Sequence, residues 1–167
     1  MEHRIGHGWD LHRLEPPPPH GQGRAFRLGG ISIEHPTGPV GHSDGDALLH
    51  AITDALLGAV GAPDIGQLFP DSDPAHDGAD SAIFLARALA YIRESGWSIG
   101  NLDATIVCQT PKIGPVADEI TRHLATLLDC GPERLNLKGK THEGVDAVGE
   151  GRAIEVHVVA LLQRPNS

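Results

Sequence analysis

The period of the apolar residues changes several times along this chain, and the order of those changes constrains the fold more than any other feature. Residues 4–12 read as a strand. The run Glu15 to Gly23 holds Pro16, Pro17, Pro18 and Pro19, which cannot feed a helix or a central strand, so it is expected as an exposed, semi-rigid loop. Arg24–Leu28 and Ile31–Ile33 flank Gly29-Gly30, a dipeptide suited to a tight hairpin turn. A helix is expected from Ser43 or Asp44, because Ala47, Leu48, Ala51, Ile52, Ala55 and Leu56 recur at helical spacing until Gly58 and Gly61. The Asp-, Pro- and Gly-rich segment Asp64–Asp80 has no sustained period and reads as a long loop, which in a compact domain is often functional. A second helix is predicted over 81–95, ending at Gly96. A strand follows through Leu102, Ala104, Ile106 and Cys108, which alternate with Asp103, Thr105 and Val107. Pro115 opens a third helix striped by Val116, Ile120, Leu124 and Leu127. Leu135–Thr141 and Ala153–Leu162 close the chain as strands.

Strands, helix, helix, strand, helix, strands is the order of an α+β fold: an α/β sandwich with a mixed sheet and helices packed on one face. A chain of 167 residues, 40% of them hydrophobic, fills one core, so residues 1–167 are read as a single domain. Its formal charge of -9 argues against nucleic acid, whose backbone is held by clustered Lys and Arg. No stretch approaches the roughly 20 apolar residues of a membrane helix, and the first residues lack the apolar core of a signal peptide. No membrane partner is expected, and the cytoplasm is, or a plastid stroma if a targeting segment has been removed. Cys108 and Cys130 have no CxxC spacing and suggest neither a disulfide framework nor a cysteine zinc site.

Eleven histidines in an acidic chain lean towards a divalent-metal site. Asp10 and His12 sit two apart on a predicted strand and so point to one face. An Asp-x-His pair is also common as an ordinary surface pair, and spacing alone does not choose. His50, on the first helix, is the best third ligand, with Asp46 one turn earlier placed to orient it. Two imidazoles and a carboxylate leave a tetrahedral zinc one open position, as in catalytic sites. His42 and Ser43 precede a helix start, where N–H groups favour a phosphate; Ser43 or Asp44 serving only as a cap is the commoner use, and both can hold. Glu143, ahead of a glycine-rich stretch, suits the mouth of a site, although a lone loop Glu is usually just solvated. His7 alternates to the other strand face from Asp10 and His12 and is expected to be buried and hydrogen-bonded. His3, His20, His35, His76, His123 and His157 carry no motif and are read as surface or packing residues. Ile154, Val156 and Val158 suit either a subunit interface or a plain core strand.

Together, Arg4-Ile5-Gly6-His7-Gly8-Trp9-Asp10-Leu11-His12-Arg13, His42-Ser43-Asp44-Gly45-Asp46 with His50, Asp54-Ala55-Leu56-Leu57-Gly58, Asp64-Ile65-Gly66, Leu68-Phe69-Pro70-Asp71 and Gln109-Thr110-Pro111-Lys112 closely resemble the 2-C-methyl-D-erythritol 2,4-cyclodiphosphate synthases. The resemblance spans almost the whole chain. It implies a homotrimer of α/β sandwich subunits with active sites between neighbours. It also implies a cyclase of the non-mevalonate isoprenoid pathway, a phosphorus–oxygen lyase converting 4-diphosphocytidyl-2-C-methyl-D-erythritol 2-phosphate to the 2,4-cyclodiphosphate and CMP. By the same resemblance Asp10, His12 and His50 hold Zn2+, and Glu143 helps hold a second ion, Mg2+ or Mn2+, on the diphosphate. His42 and Ser43 match phosphate-binding positions, and Thr141 matches a threonine at the diphosphate, so that His42, Thr141 and Glu143 form the catalytic set. Asp64, Gly66, Phe69 and Asp71 match the loop that receives the methylerythritol part, while Cys108, Lys112 and Ile113 fall where the neighbouring subunit receives cytidine. Lys140 stands where many relatives carry threonine and adds a donor near the diphosphate. Together with Lys112 and Lys138 it is expected to oppose the acidic overall field at the anionic substrate. Gly149-Glu150-Gly151-Arg152 exchanges the charges of the family's Gly-Arg-Gly-Glu near the three-fold axis, so no isoprenoid diphosphate is expected there. Hydrolysis by the same metals, or a closed four-ligand structural metal site, are the rival functions; no fourth protein ligand is evident for the second.

Overall fold

The computed structural model describes residues 1–70 and 76–166. Strand β1 (Glu2–Glu15) pairs antiparallel with β7 (Ala153–Arg164), and β7 pairs antiparallel with β5 (Ser98–Val107). On the far side of β5 lies β6 (Leu135–Lys140), parallel to it, and β4 (Gly38–Pro39) extends the other edge beside β1. The result is a five-stranded mixed sheet in the order β4-β1-β7-β5-β6. The parallel pair β5/β6 is joined by helix α4 (Ala117–Leu128), since a parallel return needs a crossover. The hairpin β2 (Arg27–Leu28) and β3 (Ile31–Ser32) stands apart from the sheet. Its turn is the expected Gly29-Gly30, with φ of 62° and 81°, the left-handed pair that a two-residue hairpin needs and glycine supplies.

Helix α1 (Ala47–Ala59) lies across β1 and β7. Beside it runs α3 (Ser81–Glu94), and a single turn, α2 (Ile65–Leu68), follows α1. The short α5 (Asp146–Gly149) precedes β7. α1 is buried on almost every side: Leu49, Thr53 and Leu57, outside the predicted stripe, are buried as well, and the Thr53 hydroxyl donates back to the Leu49 carbonyl at 2.7 Å. Glycine makes this contact possible. A Cβ on Gly6 would stand 1.9 Å from the Ala55 carbonyl oxygen, and one on Gly8 would stand 1.8 Å from that of Ala51, so the helix rests directly on the strand backbone. The opposite sheet face exposes Ile5, Trp9, Leu11 and Val159. Val156, Val158 and Ile154 point the other way and are buried in this chain's own core. Among the described residues, no helix is long and apolar enough to cross a membrane.

The helix start lies later than expected. Asp46, not Ser43 or Asp44, is the N-cap, accepting from the Leu49 N–H at 3.0 Å. Part of the predicted loop 64–80 is helical, because the Asp64 carboxylate caps α2 through the Gln67 N–H at 2.8 Å. A 3-10 turn at Gly114–Val116 takes Pro115, and α4 proper begins after it.

Candidate active site

The register of α1 on β1 builds the site. Ala55 sits over Gly6 and Ala51 over Gly8, because two strand residues advance about as far as one helical turn. The same step brings His50 to Asp10 and His12, which continue the helix-facing side of β1. The carboxylate and imidazole atoms of Asp10, His12 and His50 lie within 4.8 Å of one another. His50 Nδ1 is 3.2 Å and His12 Nδ1 2.8 Å from Asp10 Oδ2. His12 Nδ1 is nevertheless buried without an aligned hydrogen-bond partner, as a nitrogen that keeps its lone pair for a cation would be.

His50 is held in the tautomer that such a site needs. The Ser81 hydroxyl donates to Asp44, so at 2.8 Å from His50 Nε2 it accepts the proton on that nitrogen. Nδ1 faces Asp10, to which it donates when protonated, and on losing that proton it would turn its lone pair to a cation shared with the carboxylate. Ser43 Oγ stands 3.2 Å from the same Nε2 and accepts from the Gly45 N–H. Burial raises the pKa of Asp10, but the His12 and His50 imidazoles outweigh it and hold the carboxyl at about 2. Burial likewise works against the His50 imidazolium, and the Asp10 carboxylate reverses the shift upwards. Two imidazoles and an ionised carboxylate are a donor set that fits zinc.

Asp46 does not orient His50. Its carboxylate, fully buried, accepts from the N–H groups of Gly29, Gly30 and Leu49 at 2.9, 2.7 and 3.0 Å, tying the hairpin to the start of α1. The orienting role expected of it falls to Ser81 and Asp44, which sequence spacing did not single out: α3 begins 31 residues after His50.

A cleft of about 370 Å³ opens over the triad and is lined by His42, Ser43, Gly66 and Phe69, with His76 and Phe84 added. Phe69, His76 and Phe84 form an aromatic wall, with ring centroids 4.6 Å apart for the two phenylalanines. In sequence His76 carries no motif and Phe84 no signal, since a core-facing Phe on a helix looks the same there. Asp64 lies outside the lining and caps α2. Asp71 falls outside the described residues.

A second cleft of about 420 Å³ gathers Cys108, Lys112, Ile113, Lys140, Thr141 and Glu143, and its lining shares no residue with the first. Burial pushes the Cys108 thiol up to about 11, against the smaller opposing effect of Lys112, and Cys108 Sγ is 3.3 Å from the Pro111 carbonyl. The Thr141 hydroxyl donates to Glu143 Oε1 at 2.9 Å, and Glu143 adopts a left-handed φ of 53°. A non-glycine residue held there carries backbone strain, a feature concentrated at functional sites. Lys138 is not in this cleft: it pairs with Asp103 across the sheet at 2.5 Å. Glu150 accepts from Arg152 Nε at 2.8 Å, so the two exchanged charges neutralise each other within the chain.

The model of the YgbB family matches residues 3–163. A rice (Oryza sativa subsp. japonica) protein named chloroplastic 2-C-methyl-D-erythritol 2,4-cyclodiphosphate synthase is 53% identical over 161 residues, 96% of this chain and 70% of its own length. The synthase of the same name from Dechloromonas aromatica is 49% identical over 164 residues, 98% of this chain and 99% of its own. In three dimensions the chain is similar to the CDP complex of IspF from Plasmodium falciparum, with a TM-score of 0.85, 36% identity, and 98% and 97% of the two chains covered. With the sheet, but for its end residues Glu2 and Arg164, and with both clefts and the Asp-His-His triad inside the matched span, the chain belongs to the YgbB family, that of the 2-C-methyl-D-erythritol 2,4-cyclodiphosphate synthases.

Proposed function

We propose that this chain converts 4-diphosphocytidyl-2-C-methyl-D-erythritol 2-phosphate into 2-C-methyl-D-erythritol 2,4-cyclodiphosphate and CMP, in the non-mevalonate route to isoprenoids. The observation that carries the reading is the convergence of Asp10, His12 and His50 in a cleft, in a chain half identical to enzymes of that name. In this reading a 2-phosphate oxygen bonds to the β-phosphorus of the diphosphate, the bond from that phosphorus to the bridging oxygen breaks, and CMP leaves with the electron pair. No general base is required, because the attacking phosphate is already ionised.

The chain's own work is binding and charge compensation. Asp10, His12 and His50 would hold Zn2+, and Glu143 a Mg2+ or Mn2+ ion. When bound, such ions supply Lewis-acid neutralisation of the crowded phosphate oxygens. Ser43 and His42 receive phosphate at one side, and Thr141 and Lys140 contact the diphosphate at the other. Gly66, Phe69, Asp64 and Asp71 receive the methylerythritol part. Cys108, Lys112 and Ile113 receive the cytidine. A nucleotide in that role accords with the CDP of the Plasmodium falciparum complex.

The separation of the two clefts within one chain supports a homotrimer in which each active site takes its triad from one subunit and its cytidine cleft from the next. The apolar side chains on the helix-free sheet face would lie between subunits. We place the enzyme in an aqueous compartment, the cytoplasm or, by analogy with the plant relatives named chloroplastic, a plastid stroma.

The test is incubation of purified protein with the cytidyl diphosphate substrate, Zn2+ and Mg2+, followed by phosphorus NMR. Cyclic diphosphate and CMP should form, and His50→Ala should form neither. Free phosphate as the product would overturn the cyclase reading in favour of hydrolysis, and full activity after chelation would overturn the metal assignment.

A further inference from the structure

Away from both clefts, on the helix-free face of the sheet, two histidines converge. His7 on β1 and His157 on β7 are diagonal neighbours, since Trp9 pairs with His157 and His7 with Val159. His157 Nδ1 faces His7 Nε2 at 3.4 Å. That separation is long for a nitrogen–nitrogen hydrogen bond. It is close to the edge of a metal tetrahedron, because two nitrogens each about 2.05 Å from zinc stand roughly 3.3 Å apart.

The other nitrogen of His157 is also set for ligation. His157 Nε2 lies 2.8 Å from Glu155 Oε1, and Trp9 Nε1 donates to the same oxygen at 2.8 Å. With the Nε2 proton given to the carboxylate, Nδ1 presents a lone pair to His7. A carboxylate behind an imidazole fixes ring and tautomer in metal sites, and here the second imidazole stands beside the nitrogen so exposed. His7 lies on the opposite strand face from Asp10 and His12, and is exposed rather than buried as its sequence context suggested.

We infer that His7 and His157, oriented by Glu155, form a second site for a late divalent transition metal, Zn2+, Cu2+ or Ni2+, distinct from the Asp10, His12 and His50 triad. Imidazole pairs select these ions over Mg2+ and Ca2+. The chain supplies two ligands, and water or a neighbouring copy completes the coordination. The inference stands on the pair itself and does not depend on the cyclase reading.

The experiment is titration of tag-free, metal-stripped protein with Zn2+ against a chromophoric chelator, with Cu2+ electron paramagnetic resonance to count nitrogen ligands. Wild type should bind Zn2+ beyond the first equivalent. His157→Gln and His7→Gln should each lose that further binding while keeping the first equivalent, and Glu155→Gln should weaken it about tenfold. Retention of the further binding in both histidine variants, or a single equivalent in wild type, would overturn the site. A His157→Gln protein that lost the first equivalent too would be misfolded or unassembled, and His7→Gln, first checked by sedimentation to have the mass of the wild type, would then decide.

Discussion

At the scale of single residues, the triad depends on the Ser81 hydroxyl and the Asp44 carboxylate behind it. Ser81 accepts from His50 only because Asp44 takes its own proton. Ser81→Ala should therefore weaken Zn2+ binding about 10- to 100-fold, read by chelator competition, and reduce turnover at limiting zinc more than at saturating zinc. His50→Ala should abolish tight binding. Cys108 offers the opposite case. With its thiol raised to about 11 by burial, almost none is thiolate at pH 8, and the thiolate is the reactive form. Iodoacetamide labelling of native protein, followed by peptide mass spectrometry, should leave Cys108 unmodified at pH 8 and label it only as pH climbs towards 11. Rapid labelling at pH 8 would contradict its burial.

At the scale of elements, the hairpin and helix α1 are one unit joined by Asp46. Its carboxylate satisfies three backbone donors, two of them 16 and 17 residues away in the chain. Asp46→Ala removes a helix cap, worth about 1 kcal/mol, and strands buried N–H groups at about 1–3 kcal/mol. A loss near 3 kcal/mol in urea denaturation is the expected result. The contact of α1 with β1 is less forgiving. Gly8→Ala would press a methyl to 1.8 Å from the Ala51 carbonyl, which neither backbone can yield without shifting the triad. This variant should be recovered unfolded or without zinc. The motif glycines were legible in sequence, but their reason was not: helical and strand periods locate α1 and β1, whereas their distance of approach is set by which residues meet.

At the scale of the whole molecule, the uncovered sheet face is the outstanding surface. Ile5 is 71% exposed and Trp9 50%, beside Leu11 and Val159 on the same face. Under the proposed assembly, sedimentation equilibrium should give a mass near three chains. Ile5→Asp, at a position outside this chain's own core, should give a folded monomer, with circular dichroism unchanged, that has lost activity because its two clefts are no longer brought together. A monomeric and fully active wild type would remove the trimer from the mechanism.

What the sequence determined by itself is local and periodic. The long strands β1, β5, β6 and β7, the helices α1, α3 and α4, the Gly29-Gly30 turn and the choice of Asp10, His12 and His50 as candidate ligands follow from alternation, helical spacing and motif. Tertiary structure decided whatever depends on partners distant in the chain. It assigned Asp46 to the hairpin instead of to His50, Ser81 to His50, and Lys138 to Asp103 instead of to the diphosphate cleft. It also brought His7 against His157, 150 residues away. The physical reason is common to all four. Spacing along a chain states which face a side chain occupies, but the partner it meets there is set by the register of one element on another, which backbone hydrogen bonds and close packing fix together.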